Sequence, residues 1–115
     1  MPSPPLVPDD GPIDIEHLRR MTLGDASLER EVLAMFSAQA AGVFAMLSTL
    51  PPDAGALAHT LKGSARAIGA FAVADAAQDL ETAFGNGSDP SQALGALDDA
   101  ITEARSAIDA ILRRS

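Results

Sequence analysis

The stretch DPSQALGALDDAITEARSAIDAI, Asp89 to Ile111, decides how the rest of the chain is read. Its apolar residues Leu94, Leu97, Ile101, Ala104, Ile108 and Ile111 recur in steps of three, four, three, four and three, which draws one stripe along an α-helix. Asp89-Pro90-Ser91-Gln92 supplies a cap, a first-turn proline and a glutamine three residues after the cap. A helix with one apolar stripe needs other helices or a sheet to cover it.

The sequence before Asp89 offers only helices. Gly85-Asn86-Gly87 closes a segment from about Phe71 to Phe84, with Val73, Ala76, Ala77, Leu80 and Phe84 inward. Before that, Asp53 can cap a helix that ends at Gly69 as a C′ residue. A longer helix is expected from Asp25, as N-cap, to Leu50, where Pro51-Pro52 stops it. Its stripe is read as Leu28, Val32, Met35, Val43, Met46 and Leu50, widened by Leu33, Phe36, Phe44 and Leu47. Gln39 fills the gap in that stripe, either at the bundle edge or bonded to a neighbouring helix. A short helix from Ile13 or Asp14 to about Met21, closing at Gly24, precedes it. Residues 1–12 hold five of the eight prolines and read as a flexible or extended tail. The expected fold is all-α: an up-down-up-down antiparallel four-helix bundle with a short extra N-terminal helix, spanning 13–115.

Composition agrees and narrows the function. The chain has 115 residues, enough for one modest core, with no Trp or Tyr and four Phe. Such a core is thin, and small residues let helices approach. Absence of cysteine rules out disulfides, thiolate metal sites and a Cys nucleophile, and makes cytoplasm the natural compartment. No apolar run is read as approaching the ~18 residues of a membrane span, and the N-terminus lacks signal-peptide character. A net charge of −8 opposes nucleic-acid binding. The two histidines lie far apart, so no metal site is expected. No phosphate-binding glycine loop, dinucleotide fingerprint or H-E-x-x-H occurs.

Against this acidic background, Ala54 to Ala74 contains no Asp or Glu but holds Lys62 and Arg66. The segment His59-Thr60-Leu61-Lys62-Gly63-Ser64-Ala65-Arg66-Ala67-Ile68-Gly69 carries the chemistry. At about 100° per residue, Lys62, Gly63 and Arg66 fall about −60°, +40° and −20° from His59, on one face. Leu57, Leu61 and Ile68 point the other way. An outward imidazole near two cations and a bare backbone suits a nucleophile that carries a phosphoryl group and is approached by another protein. Lys62 is either a solvated cation or a group that neutralises phosphoryl oxygens during transfer. Gly63 costs ~1 kcal/mol relative to Ala in mid-helix, for close helix packing or for partner access. Phe71 faces outward as docking surface or as a cap on the core. His17 lacks the motif and reads as an ordinary surface residue.

The string H-T-L-K-G-S-A-x-x-x-G resembles the signature of histidine-containing phosphotransfer (HPt) domains, relay modules of multistep two-component signalling. The likeness extends through Met21-Thr22-Leu23-Gly24-Asp25 and Gln78-Asp79-Leu80-Glu81. It implies that His59 is the phosphoacceptor, through Nε2, and that Lys62 stabilises phosphoryl charge. It further implies that Gln78 borders the histidine, with Glu81 one turn on. Gly63, Arg66, Phe71 and Gln78 are the expected partner-docking residues, Gly63, Arg66 and Phe71 from their outward phase, and the motif does not require Arg66. The expected partners are response-regulator receiver domains, a hybrid sensor histidine kinase, or both. The Mg²⁺ belongs to the receiver, and no cofactor is expected here. The expected protein is a cytoplasmic monomer that relays phosphoryl between receiver aspartates without ATP-dependent activity. The alternatives are direct phosphorylation by a kinase catalytic domain, a helical binding module whose histidine is unused, and a dimeric phosphoacceptor domain of a sensor kinase. An acidic residue usually follows the histidine in that last class, and Thr60 follows it here.

Overall fold

The computed structural model describes residues 11–114, so the tail expected over residues 1–12 lies outside the described residues except for Gly11 and Pro12. Five helices and no strand occur among them: α1 (Ile15–Met21), α2 (Ala26–Leu47), α3 (Ala54–Ile68), α4 (Phe71–Asn86) and α5 (Ser91–Arg114). Helices α2, α3, α4 and α5 each pack on two of the others in a closed ring, and α1 lies against α3. Cross-helix bonds fix two directions. His59 meets Glu81 while Lys62 meets Gln78, so α3 and α4 run opposite ways. Arg30 donates to the Leu112 carbonyl and Arg105 to Ser37 Oγ, so α2 and α5 do too.

Local chemistry sets the helix ends. Asp14 and Asp25 accept from the backbone N–H of His17 and Leu28, as N-caps should. Asp53 stands at the N-cap of α3 but makes no side-chain cap bond, and its backbone is not extended. Asp89 turns its carboxylate to Ser91, accepting from both N and Oγ, so the capping box expected with Gln92 is replaced by a local turn. Helix α4 runs to Asn86 and closes on Gly87 in the left-handed region. Gly69 does the same for α3 at φ 86°. There the chain also comes close: Asp14 N donates to Gly69 O, and a Cβ on Gly69 would lie 2.7 Å from Asp14 O. Only glycine meets both demands, and the contact ties α1 to the end of α3.

Nine of the 21 buried apolar residues are alanine, which lets the helices approach closely. Helix α3 buries Ala54, Ala58, Leu61, Ala65 and Ile68, and α4, packed on it, buries Val73, Ala74, Ala76, Ala77 and Leu80. Helix α5 buries Leu97, Ile101, Ala104 and Ile108, the centre of its expected stripe.

Helix α2 departs from expectation. It ends at Leu47, three residues early, and Leu50 adopts φ 53° before the prolines. Its buried residues are Leu33, Phe36, Ala40 and Leu47, while Leu28, Met35, Met46 and Leu50 are exposed. Both sets have helical spacing, and the core took the one containing Phe36. Gln39 is half-buried at the bundle edge, on an α2–α3 groove shared with Val32, Met35, Ser64 and Ala67. With two apolar stripes, α2 is long and apolar enough by composition to cross a membrane, contrary to the sequence reading that no such run exists. In the bundle its Leu33–Leu47 stripe packs as a core helix.

Candidate functional site

The site begins with the phase of α3. Ala54, Ala58, Leu61, Ala65 and Ile68 are buried, which turns His59, Gly63 and Arg66 to the exposed side. Lys62 stands at the edge of that arc nearest α4. Because alanines hold α3 and α4 close together, long side chains from one helix reach the other across the surface seam.

At that seam His59 Nδ1 lies 3.0 Å from Glu81 Oε2. A carboxylate oxygen only accepts, so the neutral ring carries its proton on Nδ1 and its lone pair on Nε2. The imidazole is 66% exposed. Lys62 Nζ donates to Glu81 Oε1 and to Gln78 Oε1, both at 2.8 Å, and its side chain is only 11% exposed. Gln78 Nε2 donates in turn to Thr82 Oγ1. The result is one chain of polar contacts, Thr82–Gln78–Lys62–Glu81–His59.

The electrostatics follow from that chain. The Lys62 hydrogen bond holds the Glu81 carboxyl below its usual range; desolvation opposes this, and the bond to His59 adds to it. Glu81 is therefore anionic at neutral pH, with a cation on one oxygen and an imidazole N–H on the other. The glutamate was legible only as a neighbour of Gln78, since its contact with His59 depends on the register between α3 and α4.

The other expected residues separate into two places. Gly63 is exposed, and a Cβ there would meet nothing within 4 Å, so close helix packing does not explain it. Arg66 is exposed on the same side of α3. Gln78 touches Lys62 and Thr82 rather than the histidine. Phe71 lies ten residues before Glu81 on α4, about 15 Å along the axis. It therefore stands apart from His59, with its ring edge-on to His17 at 5.1 Å between centroids. His17 is not an ordinary surface residue: it is half-buried, and its Nε2 is buried without a hydrogen-bond partner.

Beside His59 an open concavity of about 750 Å³ runs over Pro52, Gly55, Ala56, Thr60, Phe84 and Gly85, with Glu81 on its wall. Its lining is mostly small or apolar, so another protein surface can approach the ring from that side as well as over Gly63. No group of three or more His, Asp and Glu able to hold a metal occurs among the described residues.

Comparison with known proteins places the chain through one finding. The family model described as the Hpt domain matches residues 31–107, about two thirds of the chain. No curated protein and no solved structure gives a significant match.

Proposed function

The chain belongs to the Hpt domain family, whose members carry phosphoryl groups on histidine in two-component phosphorelays, and from that premise we propose that it is a relay carrier with His59 as phosphoacceptor. The observation that carries the assignment is the ring's division of labour. Nδ1 is held by Glu81, Nε2 keeps its lone pair, and the ring is open to a partner.

The donor we propose is the aspartyl phosphate of a receiver domain. The Nε2 lone pair forms the N–P bond as the acyl P–O bond breaks, and the receiver carboxylate leaves with that electron pair. No proton has to leave the attacking nitrogen. The product ring is cationic, carries its proton on Nδ1, and is compensated by Glu81 beside it. The reverse sequence delivers the group to a second receiver. Lys62 supplies positive charge to the site, Gly63 gives access, and Arg66 extends a basic surface toward an acidic partner. Phe71 and Gln78 complete the proposed docking face at its far end and its α4 edge. The receiver brings the Mg²⁺, and the carrier needs no cofactor of its own. We further propose an up-down-up-down bundle acting as a cytoplasmic monomer.

Incubation with a panel of phosphorylated receiver domains, and separately with kinase catalytic domains and ATP, tests the reading. Acid-labile phosphate on the wild-type chain that disappears in His59→Gln, with helicity retained, is the expected result. Labelling that survives His59→Gln overturns the assignment. Labelling by a kinase alone selects the direct route.

A further inference from the structure

Gln39 is a polar residue in apolar company. It lies half-buried on the α2–α3 groove, about 200 Å³ in volume, whose walls include Val32, Phe36 and Ile68 and whose other polar residue is Ser64. Neither the Gln39 amide nor the Ser64 hydroxyl makes a side-chain hydrogen bond among the described residues. One turn before Gln39 on the same wall stands Met35, 68% exposed, against 56% for Met21 and 50% for Met46. A thioether is only a weak acceptor, so Met35 cannot satisfy the two donors beside it.

Oxidation changes that. The chain has no Cys, Trp or Tyr, so its exposed methionine sulfurs are its most readily oxidised groups. A sulfur lone pair attacks one oxygen of a peroxide as the O–O bond breaks. The sulfur keeps that oxygen and loses two electrons; the second oxygen leaves as hydroxide and takes up the proton of the first to become water. The sulfoxide oxygen is a strong acceptor, and the Gln39 Nε2 and Ser64 Oγ donors stand on the same groove. Held by them, the oxidised side chain turns from solvent into the groove and makes it polar.

That groove adjoins the reactive face. Gly63 and Ala67 are exposed beside it on α3, and Ser64 stands five residues after His59, about 7.5 Å along the axis. A specific interface covers about 800 Å² of each partner, equivalent to a disc of about 16 Å radius, so a partner centred on His59 covers the groove as well. The α2 wall suits such cover, since no charged residue occurs from Val32 to Pro52 and a methionine adapts to the surface placed on it.

We propose that Met35 is a reversible oxidation site whose sulfoxide is bound by Gln39 and Ser64, and that its oxidation weakens docking of the receiver domain at His59. The modification stands on the groove alone; its effect on docking rests on the reading of the chain as a phosphoryl carrier. Sulfoxide reductases return the thioether, so the site makes transfer responsive to peroxide without altering the histidine.

The test treats the full chain, Met35→Leu and Met46→Leu with hydrogen peroxide. Peptide mass spectrometry follows the gain of one oxygen at each methionine, circular dichroism follows helicity, and NMR follows the Gln39 side-chain amide. Receiver-domain affinity and transfer rate are measured before and after. Wild type oxidised at Met35 should keep its helicity, shift the Gln39 amide resonances and bind the receiver about tenfold more weakly, because a polar group is then covered by the partner. Reductases acting on both sulfoxide epimers should restore binding. Met35→Leu should hold its affinity although Met21 and Met46 still oxidise, and Met46→Leu should lose affinity as wild type does. Affinity unchanged by Met35 oxidation, an equal loss in Met35→Leu, or Gln39 resonances that do not move would overturn the inference. An untreated wild-type chain that neither binds a receiver nor accepts phosphoryl refutes the carrier reading instead, and the Gln39 resonances still decide whether the groove takes the sulfoxide.

Discussion

His59 and His17 stand toward opposite ends of the α3–α4 pair and show what separates a working imidazole from a packed one. His59 has Nδ1 on a carboxylate, and its ring is open to solvent. His17 has its ring against Phe71, with Nε2 buried and unpaired. Both lie on helices in an acidic protein. The difference is that the first has one nitrogen held and the other accessible, which is what a nucleophile needs. In the second, Nε2 is sealed by packing.

The largest expected effect tests that contrast directly. His59→Gln should abolish phosphorylation and leave the melting temperature nearly unchanged, because the ring is largely exposed. His17→Leu should do the reverse: it keeps phosphorylation and gains about 1 kcal/mol by removing a buried unpaired nitrogen. Labelling assays and thermal melts of the two variants measure both. Loss of labelling in His17→Leu would erase the distinction.

Two glycines extend the contrast along α3, one in its middle and one at its end. Gly69→Ala should cost about 1–2 kcal/mol for the left-handed backbone alone. It also drives a Cβ onto Asp14 O, so α1 should detach, with faster amide exchange from Asp14 to Leu18 as its signature. Gly63→Ala has open space around it and should stabilise by up to ~1 kcal/mol. Gly63→Gln should fold normally yet slow receiver docking. A destabilised Gly63→Ala would return that position to packing.

The smallest effect is in acid. Glu81 and Asp89 are depressed below their ordinary values of 4.5 and 3.8 by their hydrogen bonds, to Lys62 and His59 for the first and to Ser91 for the second. A depressed acid binds fewer protons folded than unfolded, so its stabilisation is present above the ordinary value and is lost as pH falls through the folded one. Melting temperature should therefore drop as pH falls below about 4.5, and Glu81→Ala with Asp89→Asn should flatten that slope. Both groups are solvent-exposed, so the change is small.

Legibility varied between elements for physical reasons. Helix α5 has one apolar stripe, and its central residues are the ones buried. Helix α2 has two, Leu28–Met35–Met46 and Leu33–Phe36–Leu47, and periodicity alone gives no reason to prefer either. At the site, the outward phase of His59 could be read because Leu61 and Ile68 fix the inward face of the same helix. The Glu81 contact could not, because it joins residues 22 apart in sequence through the register of two helices. The neighbour of Phe71 was hidden for the same reason: its outward phase was visible, but the ring that it meets comes from α1.

By itself the sequence determined the helical class, the order of the helices, the turns at Gly69 and Gly87, and the face of α3 that carries His59, Gly63 and Arg66. These depend on interactions within a few residues, where the spacing of 3.6 residues per turn and the freedom of glycine are decisive. Only the tertiary structure decided which stripe of α2 is buried, that Lys62 turns from solvent onto Glu81, and that His17 rather than His59 meets Phe71. Those depend on distances between helices, which packing of alanine, leucine and phenylalanine sets for the core as a whole.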